Sequence, residues 1–390
     1  MGHAMNASTV TAAATLPATL RLGPVHLTVT DLDRSVTWYQ DALGLRLHRR
    51  EDALAAMGAG EDDVIVLHEE PGARPAGRHA GLYHYALLYP SREELARAAL
   101  RLSATRTPID GASDHETHEA IYLPDPDGNG IELAADRPRD AWPQHLGYAA
   151  GPRPLDFPAL MQTIAGEQPT RHVEPGLRVG HLHLHVGDTR RGLAFYRDAL
   201  GFELKADLGS AEFVSAGGYH HHLGFNVWKG QGVPPVPADV VGLRHWTVVL
   251  EHGAQVDEVR GRLGAAGIAV DAVDGGFAVR DPWNIELHVV AEPYRSRAVA
   301  ATEKPQAYMR QVAKHFRHKL DVRFDDREAI VPFTFGYAVV RVAGDGELAI
   351  DAFSGTEAGL RRVEEVVGSH LERFGTQDEL TVRFDGAPAR

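Results

Sequence analysis

The chain has 390 residues, 44% of them hydrophobic and 24% charged, a composition that folds into globular domains and, at about 150 residues each, points to two or three of them. A net charge of −13 without a dense Lys/Arg run excludes a nucleic-acid or anionic-membrane surface, and no run of about 20 apolar residues is present to span a bilayer. There is no cysteine, which excludes disulfides, thiolate nucleophiles and cysteine-held metals, so the 22 histidines and the carboxylates are the available metal ligands.

Residues 1–20, MGHAMNASTVTAAATLPATL, are rich in small residues and lack a basic segment followed by a sustained apolar run. They read as a flexible leader, not a secretion signal, and a cytoplasmic protein is expected. VHLTV at 25–29 alternates as a strand, and DRSVTWYQDALG has helical spacing closed by Gly44. Further strands follow before and after a second helix, REELARAALRLS, completing a module over 21–137. Residues 138–177, rich in Pro, Gly and Ala, are expected to link it to a second module over 178–292. A short linker, 293–304, leads to an α+β domain over 305–390. There AYMRQVAKHFRHKLDV and EAGLRRVEEVVGSHLERFG read as helices, and VPFTFGYAVVRVA, GELAIDAFS and ELTVRFDG as strands.

The two modules are copies of one another. LGPVHLTVTDLDRSVTWYQDALGL (22–45) lies over VGHLHLHVGDTRRGLAFYRDALGF (179–202) without a gap, sharing Asp31/Asp188, Tyr39/Tyr196 and the run DALG, and placing His26 on His183. GLYHYALLY (81–89) lies over GLRHWTVVL (242–250), placing His84 on His245. DPDGNGIEL (125–133) matches DPWNIEL (281–287), placing Glu132 on Glu286. The second turn is two residues shorter, which preserves the face of the glutamate because strand side chains alternate with period two.

On their strands His26, His84 and Glu132 each point away from the more apolar face. If the strands belong to one curved sheet, two imidazoles and a carboxylate converge on its concave side. That set leaves coordination positions open on a metal such as non-haem Fe(II), room for a substrate and dioxygen together. The repetition of the trio in both copies favours ligands over isolated polar residues bonded within a sheet.

VHLTVTDLDRSVTWYQDALGL, GLYHYALLYPSREEL and DHETHEAIYLPDPDGNGIEL in the first copy, with SAGGYHHHLGFNVW and GLRHWTVVL in the second, resemble the vicinal oxygen chelate superfamily. Within it they are similar to the two-module extradiol ring-cleaving enzymes of the catechol 2,3-dioxygenase type. The resemblance covers residues 21–292. It implies an α+β fold of paired βαβββ/βαββ units forming incomplete barrels, and a His-His-Glu metal site at His26, His84 and Glu132. The implied metal is Fe(II), with Mn(II), Ni(II) and Zn(II) as alternatives, and O2 is the co-substrate. Acid/base roles would fall to His68, Tyr122 and His115, with His118 close enough to His115 to share its place. The second copy keeps His183, His245 and Glu286 as another possible metal site, with His220 or His222 nearby, and adds His181 and His185. Counting back from its turn, however, Ala278 and Asp271 stand where the first copy has Tyr122 and His115, so the first module is expected to be catalytic.

The expected activity is extradiol cleavage of a catechol-like ring. The alternatives are a metal-dependent lyase or isomerase of glyoxalase type and a non-catalytic small-molecule binding or resistance protein. A small aromatic substrate would be lined by Tyr83, Tyr85, Trp228 and Trp246. A homo-oligomer is expected, without nucleic-acid or membrane partners. The C-terminal domain is similar to a family of small uncharacterised α+β domains, a resemblance that fixes no chemistry, and an accessory or dimerisation role is expected. Its His315, His318 and His370 read as helix-terminal residues facing carbonyls more than as a site.

Overall fold

The computed structural model describes residues 15–60, 62–143, 151–344 and 346–385. Most of the expected leader, residues 1–14, and residues 144–150 of the expected first linker lie outside the described residues.

The first copy begins with β1 (Arg21–Leu22), β2 (Val25–Val29), α1 (Leu32–Leu43), β3 (Arg46–Glu51), β4 (Leu54–Ala59) and β5 (Asp62–Glu69). Its second half is β6 (Gly81–Tyr89), α2 (Arg92–Thr105), β7 (Gly111–Asp114), β8 (His118–Pro124) and β9 (Gly130–Asp136). After β10 (Arg153–Pro154) and α3 (Phe157–Gln162), the second copy runs β11 (Arg178–His185), α4 (Thr189–Leu193), β12 (Glu203–Asp207), β13 (Ala211–Ser215) and β14 (Leu223–Asn226). It ends with β15 (Gly242–Leu250), α5 (Gly253–Ala265), β16 (Asp271–Val273), β17 (Gly276–Arg280) and β18 (Glu286–Ala291). Local chemistry sets these elements. In α1 the Asp31 side chain accepts from Arg34 N–H, the buried Leu32, Val36, Tyr39 and Leu43 recur at helical spacing, and Gly44 closes the helix at φ 72°.

The fold class is the expected one, two modules of open curved sheets without a closed barrel, but the pairing crosses the repeat. One sheet runs β16-β17-β18-β15-β2-β5-β4-β3 and the other β10-β7-β8-β9-β6-β11-β14-β13-β12. β2 pairs antiparallel with β15, setting His26 against His245, and β6 pairs antiparallel with β11, setting His84 against His183. Each sheet therefore takes one half from each copy. The strands of His26, His84 and Glu132 therefore do not belong to one curved sheet, the condition on which the three were expected to converge. Equivalent strands of a repeat present the same edge and the same alternation, so either half can complete either cup.

The two sheets share one core. Val25, Leu27 and Val29 of β2 and Tyr85, Leu87, Leu182 and Leu184 of β6 and β11 are buried in it together, each large side chain contributing about 1.5–3 kcal/mol. Alternation then turns His26 outward on one side and His84 and His183 outward on the other. Tyr85 and Trp246, expected in a substrate pocket, are instead fully buried in this core, where Tyr85 hydroxyl meets Tyr39 hydroxyl at 3.0 Å.

Two further expectations change. Leu16 and Leu20 of the expected leader pack into the shared core, as do Leu160, Ile164, Val173 and Leu177 of the expected linker, so those segments are structural wherever they are described. The expected linker 293–304 holds β19 (Tyr294–Ala301), an edge strand of the C-terminal sheet. That domain continues with α6 (Pro305–Phe316), β20 (Arg323–Phe324), β21 (Glu328–Phe333), β22 (Gly336–Gly344), β23 (Glu347–Ser354) and α7 (Glu357–Phe374), in the order β19-β23-β22-β21-β20 around its own core. His315 and His370 lie 4.9 Å apart, packed with Phe316 and Phe374, and His370 Nδ1 bonds the Val366 carbonyl at 2.7 Å. Their setting is a helix-packing one.

Candidate metal centre

Glu132 is the hub of the densest polar cluster. β9 pairs parallel with β6, putting Glu132 level with Ala86, and β9 can approach so closely because Gly130 has no side chain. A Cβ there would stand 2.1 Å from the Tyr83 carbonyl oxygen. Glu132, 1% exposed, has His84 Nε2 at 3.0 Å and His181 Nε2 at 3.2 Å from Oε2, and His118 Nε2 at 3.1 Å from Oε1. The ligand atoms of His84, Glu132 and His181 lie within 4.8 Å of one another. The His183 ring stands 5.2 Å from that of His84, and Asn226 Nδ2 is 2.9 Å from His183 Nε2. β11 thus offers the cup both His181 and His183.

The charge state of the cluster follows from its surroundings. Burial alone would raise the Glu132 carboxyl, but the imidazoles of His181, His118 and His84 outweigh it and hold the group well below the ordinary carboxylate range. Burial, with His84 and His181 nearby, pushes His183 well below the usual histidine value. His181 is also lowered by burial, against the opposing pull of Glu132. An ionised glutamate beside the neutral imidazoles of His181 and His183 is the protonation state that a divalent metal requires. The donors are nitrogen and oxygen only, a set suited to Fe, Mn, Ni or Zn. The residues present fit a metal.

Tyr122 pairs with Glu132 across β8 and β9, and its hydroxyl lies 2.8 Å from His115 Nε2. Burial raises the Tyr122 phenol well above its ordinary value. Burial, then His118, lowers His115 to about 4. The phenol is therefore protonated and the imidazole neutral, and which of the two donates is set by the imidazole tautomer. At the rim, Tyr83 and Trp228 are 41% and 53% exposed and both pack against His183, at 5.2 and 5.3 Å.

His26, predicted with His84 and Glu132, is not brought to them. It lies in the other sheet, stacked on His245 at 3.8 Å, with Nδ1 2.9 Å from His68 Nε2. His68, predicted as an acid/base group beside Tyr122, therefore sits in the opposite cup, which corrects that expectation too. Burial, then His68 and His288, lowers His26 to about 3. In that cup His245, Glu286 and His288 present ligand atoms within 4.8 Å of one another, but Glu286 is engaged by Arg280 as well as by His288 Nε2 at 2.9 Å. His220 and His222 do not join it. His220 stacks on His118 at 4.7 Å, and His222 Nδ1 lies 3.0 Å from Ser215 Oγ. His183, predicted with His245 and Glu286, has likewise changed partners. The sequence reading missed the direct contacts of His118 and His181 with Glu132. The alternation HLHLH at 181–185 was the available signal, since it puts three imidazoles on one strand face.

Residues 21–133 and 178–289 match the model of the Glyoxalase/Bleomycin resistance protein/Dioxygenase superfamily, and residues 297–384 match a family described as uncharacterized proteins conserved in bacteria, DUF2218. The catechol-2,3-dioxygenase of Bacillus subtilis (strain 168) is 40% identical over 268 residues, 67% of this chain and 93% of that protein. The glutathione transferase FosA of Serratia marcescens is 30% identical over 112 residues, 29% of this chain and 78% of that protein. Among solved structures, glyoxalase I from Zea mays overlays 70% of this chain and 92% of its own with 17% identity and a TM-score of 0.46.

Proposed function

The chain belongs to the Glyoxalase/Bleomycin resistance protein/Dioxygenase superfamily, and from that premise we propose that it is an extradiol-type dioxygenase opening a catechol-like ring beside its two hydroxyls. The observation that carries the proposal is the Glu132 cluster within a chain 40% identical to a catechol-2,3-dioxygenase. His84, Glu132 and one of the β11 histidines, His181 or His183, would hold Fe(II), with Mn(II) as the nearest alternative. Such a metal supplies a Lewis acid for the diol oxygens and the redox chemistry that dioxygen needs.

The remaining steps belong to side chains. His118, bonded to Glu132 Oε1, orients the carboxylate. Tyr122 and His115, hydrogen-bonded to one another, would orient a substrate hydroxyl and share its proton, a role worth about 10²–10⁴ in rate when geometry is right. Returned to the substrate, the proton serves as acid for the leaving oxygen. Tyr83 and Trp228, at right angles 5.5 Å apart, would take the flat face of an aromatic ring and narrow the access of water.

Anaerobic reconstitution with Fe(II), followed by oxygen uptake against a panel of catechols, tests the proposal. Oxygen consumption with a yellow ring-opened product is expected. Turnover of an oxoaldehyde–thiol adduct without oxygen uptake would instead support the glyoxalase-type lyase or isomerase reading.

A further inference from the structure

Next to Glu132, a second donor set is assembled around His118, and two of its members, Asp136 and His220, have no part in the proposed reaction. His118 on β8, Asp136 at the end of β9 and His220 on the loop before β14 present ligand atoms within 4.8 Å of one another. His220 Nε2 stands 3.0 Å from Asp136 Oδ1, and Asp136 Oδ2 accepts from the Tyr219 hydroxyl at 2.9 Å. The rings of His118 and His220 are parallel within 12°, and Trp142 meets His220 edge-on at 5.2 Å. His118 and His220 are 2% and 1% exposed. Burying two imidazoles to this degree is costly unless they are fully partnered.

The outer nitrogens of both rings are held. His118 Nδ1 lies 2.8 Å from Thr117 Oγ, and His220 Nδ1 lies 2.9 Å from His221 Nδ1. A partner on one ring nitrogen fixes the tautomer and orientation with which the other nitrogen meets a metal. Here that other nitrogen is Nε2 in both rings, the atom that faces the carboxylates.

We propose that His118, Asp136 and His220 bind a second divalent cation, with Glu132 Oε1 as a further donor. His118 Nε2 is 3.1 Å from that oxygen, so an ion taken by His118 lies within reach of Glu132. Oε2 faces His84 and His181, and the carboxylate then bridges two cations. The three-residue site stands by itself, whereas the bridge rests on Glu132 serving as a ligand in the proposed function. The donors are imidazole and carboxylate, which favour Mn(II), Fe(II) or Zn(II) over Ca(II) or Mg(II). Bridged pairs of this kind sit about 3.5–4 Å apart.

The test is Mn(II) loading of the metal-stripped full chain, counted by mass spectrometry after desalting and read by electron paramagnetic resonance. Wild type is expected to show an exchange-coupled spectrum. His220→Gln and Asp136→Asn are each expected to bind one equivalent fewer and to lose the coupling, giving the six-line signal of isolated Mn(II). Equal Mn(II) content in wild type and in folded variants, checked by circular dichroism, would overturn the site. An uncoupled wild-type spectrum at saturation would overturn the bridge, even if a variant fails to fold. A coupled pair in a protein that consumes no oxygen with any catechol would keep this inference and remove the dioxygenase reading. Full oxygen uptake with unchanged metal content in both variants would do the reverse.

Discussion

His183 lies directly opposite His84 in the β6–β11 ladder, although the two residues belong to different copies of the repeat. The same exchange sets His26 opposite His245. The Glu132 centre is therefore made from the second half of one copy and the first half of the other, and substitutions should sort by cup, not by copy.

Oxygen uptake by single variants checks this. His84→Ala and Glu132→Ala should each lower it about 10³-fold or more, the scale of several kcal/mol of lost metal assistance. His26→Ala, on the far side of the shared core, should keep more than about half of wild-type uptake and all of the metal at Glu132. Loss of activity in His26→Ala, with His84→Ala fully active, would reverse the assignment.

Tyr122→Phe removes the hydroxyl that bonds His115 without disturbing the β8–β9 ladder. A fall in kcat of about 10²-fold with metal content unchanged is expected, in line with the worth of positioned acid/base groups. An unchanged kcat would show that the pair plays no part.

Gly130→Ala places a methyl group where the Tyr83 carbonyl already is, at 2.1 Å. A backbone neighbour cannot turn aside as a side chain can, so β9 must move off β6 and carry Glu132 away from His84. Weaker metal retention on desalting should accompany a destabilisation of about 1–3 kcal/mol by urea unfolding. Wild-type behaviour in both measurements would mean that this close approach does not set the site.

Much of this was legible in the sequence, and its limits have physical causes. The strand VHLTV, the helix ending at Gly44 and the face of Glu132 follow from period and capping, which are local. Which His26-like strand meets which His84-like strand is not local. Because His26 and His183 occupy equivalent places, exchanging them leaves every alternation intact, and only the β2–β15 and β6–β11 pairings decide. The burial of Tyr85 and Trp246 was open to the same period-two argument, since both alternate with the histidine face. The position of His220 beside His118 depends on a loop fold that no periodicity encodes.

The metal-free protein should lose stability as pH falls. His115 and His220 are lowered to about 4 in the fold, chiefly by burial, against 6.5 in the unfolded chain. With folded values depressed, the unfolded chain takes protons first, so this contribution is whole above about pH 6.5 and is lost as pH falls toward about 4. Urea midpoints of the chelator-treated protein at pH 7.5, 6 and 5 should decrease in that order. A midpoint that stays flat or rises across this window would contradict the neutral, buried state of these imidazoles.

The most direct measurement of the central claim is the anomalous diffraction of crystals grown with Mn(II) or Fe(II). The account predicts a peak about 2.0–2.3 Å from donor atoms of Glu132, His84 and a β11 histidine. A peak bound by His26, or none within reach of Glu132 at saturating metal, would contradict it.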